Sequence, residues 1–99
     1  MRMLCRATFP VDASNAALKE GRLENTLQTL IERLKPEACY FFAQDGKRGG
    51  FFVFDMKETS DIPSIAEPLF TQLSASVEFL PVMNLDDLRA GLEKAAKNR

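Results

Sequence analysis

The chain contains no histidine, no tryptophan, two cysteines and one tyrosine in 99 residues. Without histidine there is no imidazole base of near-neutral pKa and none of the commonest metal ligand. Cys5 and Cys39 have no metal-ligand spacing, so two thiols alone do not make a structural zinc site and no metal is expected. Long apolar runs are missing as well. Nothing approaches the ~20 residues that a membrane-crossing helix needs, and no membrane partner is expected. Thirteen Lys and Arg against fourteen Asp and Glu leave a net charge of −1, which gives no overall pull toward phosphate backbones or anionic lipid. The opening MRMLCRATFP interrupts its apolar residues with Arg2 and Arg6, a poor secretory signal. Together with the unspaced cysteines this points to reduced thiols and a cytoplasmic protein.

What is present is ordinary globular material, 45% apolar and 27% charged, without linker, repeat or low-complexity segment. We read residues 1–99 as one domain. RMLCRATF alternates, with Met3, Cys5, Ala7 and Phe9 on one face and Arg2, Leu4, Arg6 and Thr8 on the other, and Pro10 ends this strand. A short helical segment near Ala13 to Glu20 stops at Gly21. Leu23, Leu27, Leu30, Ile31 and Leu34 then fall at helical spacing before Pro36. ACYFFAQ and FFVFDM read as strands joined by DGKRGG. In SDIPSIAEPLFTQL, Ser60 or Asp61 caps a helix with an apolar stripe from Ile62 to Leu73, and Pro68 is expected to kink it. SVEFLPVM is a fourth strand. NLDDLRAGLEKAAKNR is a last helix whose Asn84 and Asp87 resemble a capping box.

The order β-α-β-β-α-β-α is the ferredoxin-like arrangement: an α+β fold with a four-stranded antiparallel sheet and the first and third strands central. RNA-recognition domains share that topology, and KRGGFFVFD invites comparison with their third-strand motif. Aligned from Arg48, the match keeps Arg48, Gly49, Phe52 and Val53 but puts Gly50 and Asp55 where two aromatics belong. The first strand has no exposed aromatic, so no nucleic-acid partner is expected. KRGG is then a turn, and FFVF a central strand buried on both faces.

If Asp45 lies opposite Gly50, Phe42 meets Val53 and Tyr40 meets Asp55, and opposed residues share a face. Tyr40, Phe42, Val53 and Asp55 then lie with Leu4, Arg6, Thr8, Glu78, Leu80 and Val82. Cys39, Phe41, Ala43, Phe52, Phe54 and Met56 pack under the helices. The first set is too apolar for open water and too charged for an ordinary core. It needs a cover, either the final helix or a second subunit.

The element order, the strand ending in TFP, the central FFVFDM and the last strand VEFLPVMN resemble the dimeric α/β-barrel superfamily. That superfamily includes muconolactone isomerases, antibiotic-biosynthesis monooxygenases and small bacterial proteins of unassigned role. The resemblance spans nearly the whole chain but rests on hydrophobic patterns. It implies a homodimer with its sheets face to face and ligands between the sheet and helices of each subunit. It carries over no catalytic residue, since the histidines and tryptophans used in that group are absent here.

Read on chemistry alone, Arg6, Tyr40, Asp55 and Glu78 are the leading constellation. As a site they offer a cation, a phenol and two carboxylates; as an interface they are an ion-pair network within apolar strand positions, the reading we favour. Asp12, Asn15, Lys19 and Arg22 surround the first helical segment as the mouth of a pocket or as a capped, solvated face. Glu67, beside Pro68, is a weak candidate base. Cys5 and Cys39 share the covered face about 9–10 Å apart with a strand between them, beyond disulfide reach, and read as structural thiols. The expectation is a cofactor-free homodimer that binds a small molecule or acts as an interaction module. The alternative is a cofactor-independent isomerase or monooxygenase acting on an aromatic or lactone-like metabolite. A Phe-lined pocket of several hundred Å³ with converging polar groups would favour the enzyme.

Overall fold

Alternation in the first strand governs the layout of the protein. The structure, a computed structural model, describes residues 1–98. β1 (Arg2–Phe9) alternates half-buried and buried along its length. It is followed by α1 (Val11–Lys19), α2 (Arg22–Leu34), β2 (Ala38–Gln44), β3 (Lys47–Asp55), α3 (Asp61–Leu73), β4 (Ser76–Pro81) and α4 (Leu85–Lys97). The sheet order is β2-β3-β1-β4 with every neighbouring pair antiparallel, the ferredoxin-like α+β arrangement. Between α1 and α2 the chain turns at Gly21, whose φ of 77° is one that side chains resist.

The core lies between one sheet face and α1–α3. Cys5, Ala7, Phe9, Phe52 and Phe54 from the sheet meet Ala17, Leu30, Ile65, Leu69 and Leu73 from the helices. α3 runs as one continuous helix through Pro68. Proline supplies no N–H to the Ser64 carbonyl four residues earlier. That carbonyl instead accepts from the Arg33 guanidinium at 3.2 Å, while Ser64 Oγ accepts from the same group at 2.6 Å. The Asn84–Asp87 capping box is present: the Asp87 amide donates to Asn84 Oδ1 at 2.8 Å and the Asn84 amide to Asp87 Oδ2 at 3.1 Å.

Two expectations for the central hairpin are corrected. The turn is Asp45-Gly46 alone, with φ of 54° and 75°, the paired positive values of a type I′ turn. Lys47, Arg48, Gly49 and Gly50 therefore belong to β3, and Gln44 pairs with Lys47, Phe42 with Gly49 and Tyr40 with Phe51. The register is displaced by four residues from the expected one. Because four is even, every side chain keeps its face. The glycines are seats for rings: a Cβ on Gly50 would meet Phe41 Cδ1 at 2.6 Å, and one on Gly49 would meet Phe42 Cε1 at 2.9 Å. FFVF is also not buried on both faces. Phe52 and Phe54 are in the core, whereas Phe51 and Val53 are half-buried because no element covers their side. Phe52, the aromatic shared with the RNA-binding motif, points under the helices.

Among the described residues, α4 meets the rest of the chain only at its first turn, where Asp87 pairs with Arg2. None of its residues is buried, and Leu85, Leu88 and Leu92 are 60%, 41% and 60% exposed. The radius of gyration, 15.9 Å, exceeds the ~13 Å usual at this length, and the long axis reaches 55 Å. Within the chain, the final helix does not cover the open sheet face.

Candidate functional site

The open face carries the constellation read from sequence, spread over its full extent. Tyr40, on the edge strand, has its ring centroid 5.8 Å from that of Phe51, and Phe42 lies 6.2 Å from Phe51 on the other side. Arg6 sits 5.8 Å over the Phe42 ring and donates to Gln44 Oε1. Glu78 is directly opposite Arg6 in the β1–β4 register, yet among the described residues Arg6 has no ion-pair partner. Asp55 is elsewhere. It lies opposite Arg2, four residues along β1 from Arg6, or about 13 Å at strand spacing. Its carboxylate accepts from the chain's amino terminus at 2.8 Å and from Lys57, and the Lys57 hydrogen bond chiefly holds it well below the usual carboxylate range, at about 2. The structure thus brings Arg6 near Phe42, Gln44 and Glu78, places Tyr40 two strands from β1, and does not bring Asp55 to them. Arg2 bridges Glu37 at 2.7 Å and Asp87 at 2.6 Å, tying the first turn of α4 to the sheet end.

The pocket-mouth candidates separate in the same way. Asp12 and Lys19 are exposed at the two ends of α1. Arg22 donates to Glu20 at 2.5 Å and to the Gln72 carbonyl, tying α2 to α3. Glu67 is exposed, and its carbonyl accepts from Thr71. Asn15 alone meets a charged side chain of the sheet: its Oδ1 accepts from Arg48 Nη1 at 2.9 Å.

Arg48 also lines a cavity of about 460 Å³ between α1–α2 and the β2–β3 side of the sheet. Its walls include Phe9, Leu18, Leu27, Ile31 and Phe41, and its polar lining is Arg48, Glu24 and Gln28. The cavity exists because α2 stops short of covering β2: Phe41 and Leu18, which face it, are 57% and 52% exposed. Arg48 stands opposite Phe9 and Ala43, on the helix side. Ser14, fully buried on α1, accepts from Arg48 Nη1 at 2.7 Å and donates to the Val11 carbonyl at 3.2 Å. A buried hydroxyl needs such partners, so the guanidinium accounts for a polar residue inside α1. Sequence reasoning missed Arg48 and Ser14 by assigning KRGG to the turn. The available signal was the two-residue Asp-Gly turn, which phases Arg48 with Phe52 and puts a cation on the covered face.

Cys5 and Cys39 both lie opposite Phe52, on either side of β3, and are free thiols. Burial pushes the Cys5 thiol up to about 12 and raises that of Cys39. Among the described residues no three His, Cys, Asp or Glu side chains group as metal ligands, and no helix is long and apolar enough to cross a membrane.

No protein-family model and no curated protein matches the sequence. Among solved structures the chain is similar to a de novo designed protein, Ferredog-Diesel, with a TM-score of 0.48 and 11% identity, over 82% of this chain and 85% of that one.

Proposed function

We propose that the protein is a homodimer that binds a small molecule in the cavity beneath α2. The cavity carries this reading. It has the size of small-ligand sites, its walls are mostly aliphatic and aromatic, and its cation, Arg48, is held by Ser14 and Asn15. The location agrees with the resemblance to dimeric α/β barrels, whose ligands lie between sheet and helices.

Dimerisation is supported by two uncovered surfaces of one chain. Leu4, Phe42, Phe51, Val53 and Leu80 form an apolar band on the open sheet face, and α4 carries a leucine stripe with no partner. Four strands of about eight residues present roughly 27 × 19 Å, about 500 Å² per copy. Two such faces reach only the lower bound for a stable interface, near 1,000 Å². Adding α4 of each copy against the other, about 20 Å long, brings the interface into the usual range. In this arrangement Arg6 and Glu78 of two copies pair across a largely apolar contact. The free thiols fit a reducing, cytoplasmic setting.

A second reading, an enzyme, is the one that a Phe-lined pocket of several hundred Å³ favours, and it has a specific observation behind it. Glu24 lines the same cavity as Arg48, so one wall offers a carboxylate base and another an anchor for an anion. That pairing suits a cofactor-independent isomerase moving a proton on an aromatic or lactone-like metabolite.

The test is a titration of 15N-labelled protein with neutral 2-naphthamide. Saturable shifts of the Leu27, Phe41 and Arg48 amides support the cavity as the binding site. Shifts confined to the open-face strand residues, or no saturable shift, would overturn it. Turnover of a lactone that Glu24→Gln abolishes without changing its affinity would establish the second reading.

A further inference from the structure

We infer that the cavity selects a monocarboxylate with an apolar, preferably aromatic, body, and that Arg48 is the residue that reads its carboxylate. This rests on the reading of the cavity as a binding site and names the ligand's chemistry.

A guanidinium has five N–H donors in one plane. Both hydrogens of Arg48 Nη1 are taken, by Ser14 Oγ at 2.7 Å and Asn15 Oδ1 at 2.9 Å. Among the described residues, Nε and Nη2 have no hydrogen-bond partner and the side chain has no ion pair. The edge left over is therefore the Nε–Nη2 fork, whose two parallel donors match the two oxygens of a carboxylate. Both protein partners are neutral oxygens, so they orient the guanidinium without neutralising it. Ser14 is fully buried and Arg48 half-buried, which keeps the fork from swinging freely and limits screening by water.

The rest of the lining sets the body. Phe9, Phe41, Leu18, Leu27 and Ile31 line the space with carbon. The Gly50 position seats the Phe41 ring against the strand, giving a flat wall suited to an aromatic face. One cation against this much apolar surface fits a single negative charge on a hydrophobic body. Phosphate esters and sugars, with several polar groups to satisfy, would leave theirs buried without partners. Among the described residues Glu24, on the α2 wall, is the one carboxylate in the lining, and it forms no ion pair with Arg48. It disfavours dianions and sets a limit on affinity that its removal should lift.

The experiment compares 2-naphthoate with 2-naphthamide, which share a body and differ in charge, by calorimetry and amide shifts. Wild-type protein is expected to bind the acid at least tenfold more tightly, with the preference weakening as salt is raised. Arg48→Gln should erase the preference while leaving affinity for the amide within a few-fold, and Arg48→Lys should restore part of it. Glu24→Gln should tighten the acid more than the amide and so widen the preference. A merely structural role for Arg48 would lower both affinities together and leave their ratio intact, which would overturn the inference. Equal binding of acid and amide to the wild type would also overturn it while leaving the cavity reading standing. If neither probe shifts the cavity amides, both readings fall. Decanoate set against decanamide repeats the comparison on a flexible body. A preference for the acid there that equals or exceeds the naphthyl one would remove the aromatic part of the assignment.

Discussion

The two faces of the sheet are built from the same four strands and reach opposite outcomes. On the helix side, Met3, Cys5, Phe9, Phe52 and Phe54 are nearly or fully buried against α1–α3. On the other side, Leu4, Phe42, Phe51 and Val53 are half-buried only by one another, and Tyr40 and Leu80 are 64% and 48% exposed. Apolar neighbours of one strand, such as Phe51 and Phe52, thus differ in environment and not in hydrophobicity. The covered face is self-sufficient apart from one gap under α2, where the ligand site is proposed. The open face is incomplete in a single chain, and the proposed second copy completes it.

The largest effect separating the faces is expected from truncation. Leu69→Ala, at a fully buried position of α3, should lower unfolding free energy by about 2–5 kcal/mol, whatever the protein concentration. Phe51→Ala, on the open face, should instead make the unfolding midpoint less dependent on concentration, because it weakens the proposed contact between copies. A urea series at several concentrations measures both. An equal, concentration-independent loss at the two positions would contradict the distinction.

Next in size come the adjacent glycines, one on each face. Gly50→Ala forces a Cβ to 2.6 Å from the Phe41 ring and 3.1 Å from the Tyr40 carbonyl, whereas Gly49→Ala meets only the tip of the Phe42 ring at 2.9 Å and the Ala7 carbonyl at 3.3 Å. We expect a loss of about 1–3 kcal/mol for Gly50→Ala and less for Gly49→Ala. Phe41→Leu should relieve the first, as a double-mutant cycle would show.

How much of this was legible in sequence depends on what each feature needed. The faces of β1 followed from strict alternation, and the capping box from Asn84 and Asp87 at the right spacing. The β2–β3 register did not follow, because Gly49 and Gly50 look like turn residues. They are strand residues whose missing side chains make room for Phe42 and Phe41 across the ladder. The error of four residues preserved every face and still hid Arg48, since a residue placed in a turn has no face. The constellation on the open face was legible as a set sharing a side. Its spread along the strands was not, since the distance from Arg6 to Asp55 depends on the β1–β3 register. The gap under α2 depends on how far a helix overhangs an edge strand, which no periodicity encodes.

A smaller contrast lies within the covered face. Cys5 is fully buried with its thiol pushed up to about 12, and Cys39, on the edge strand, is only partly buried. At pH 8 a disulfide reagent should modify Cys39 well before Cys5, because the thiolate is the reactive form and access is graded the same way. Cys5 reacting at the rate of a free thiol would show that the helix side opens readily.

The smallest expected effect is electrostatic, at the end of the open face. Asp55 is depressed to about 2, first by the hydrogen bond from Lys57 and then by that from the amino terminus. A depressed carboxylate contributes stability that is complete above its unfolded value near 4 and is lost as pH falls toward 2. Asp55→Asn should flatten that part of the acid unfolding curve and leave neutral stability almost unchanged, since all three groups are solvent-exposed.

Sedimentation equilibrium of the wild-type protein at tens of micromolar tests the closure of the open face most directly. A species of twice the 11.1 kDa chain mass, shifting toward the single chain in Leu88→Asp/Leu92→Asp, is the predicted result, because those leucines are exposed in one copy and covered by the other in the proposed dimer. A wild-type monomer at that concentration would contradict the account.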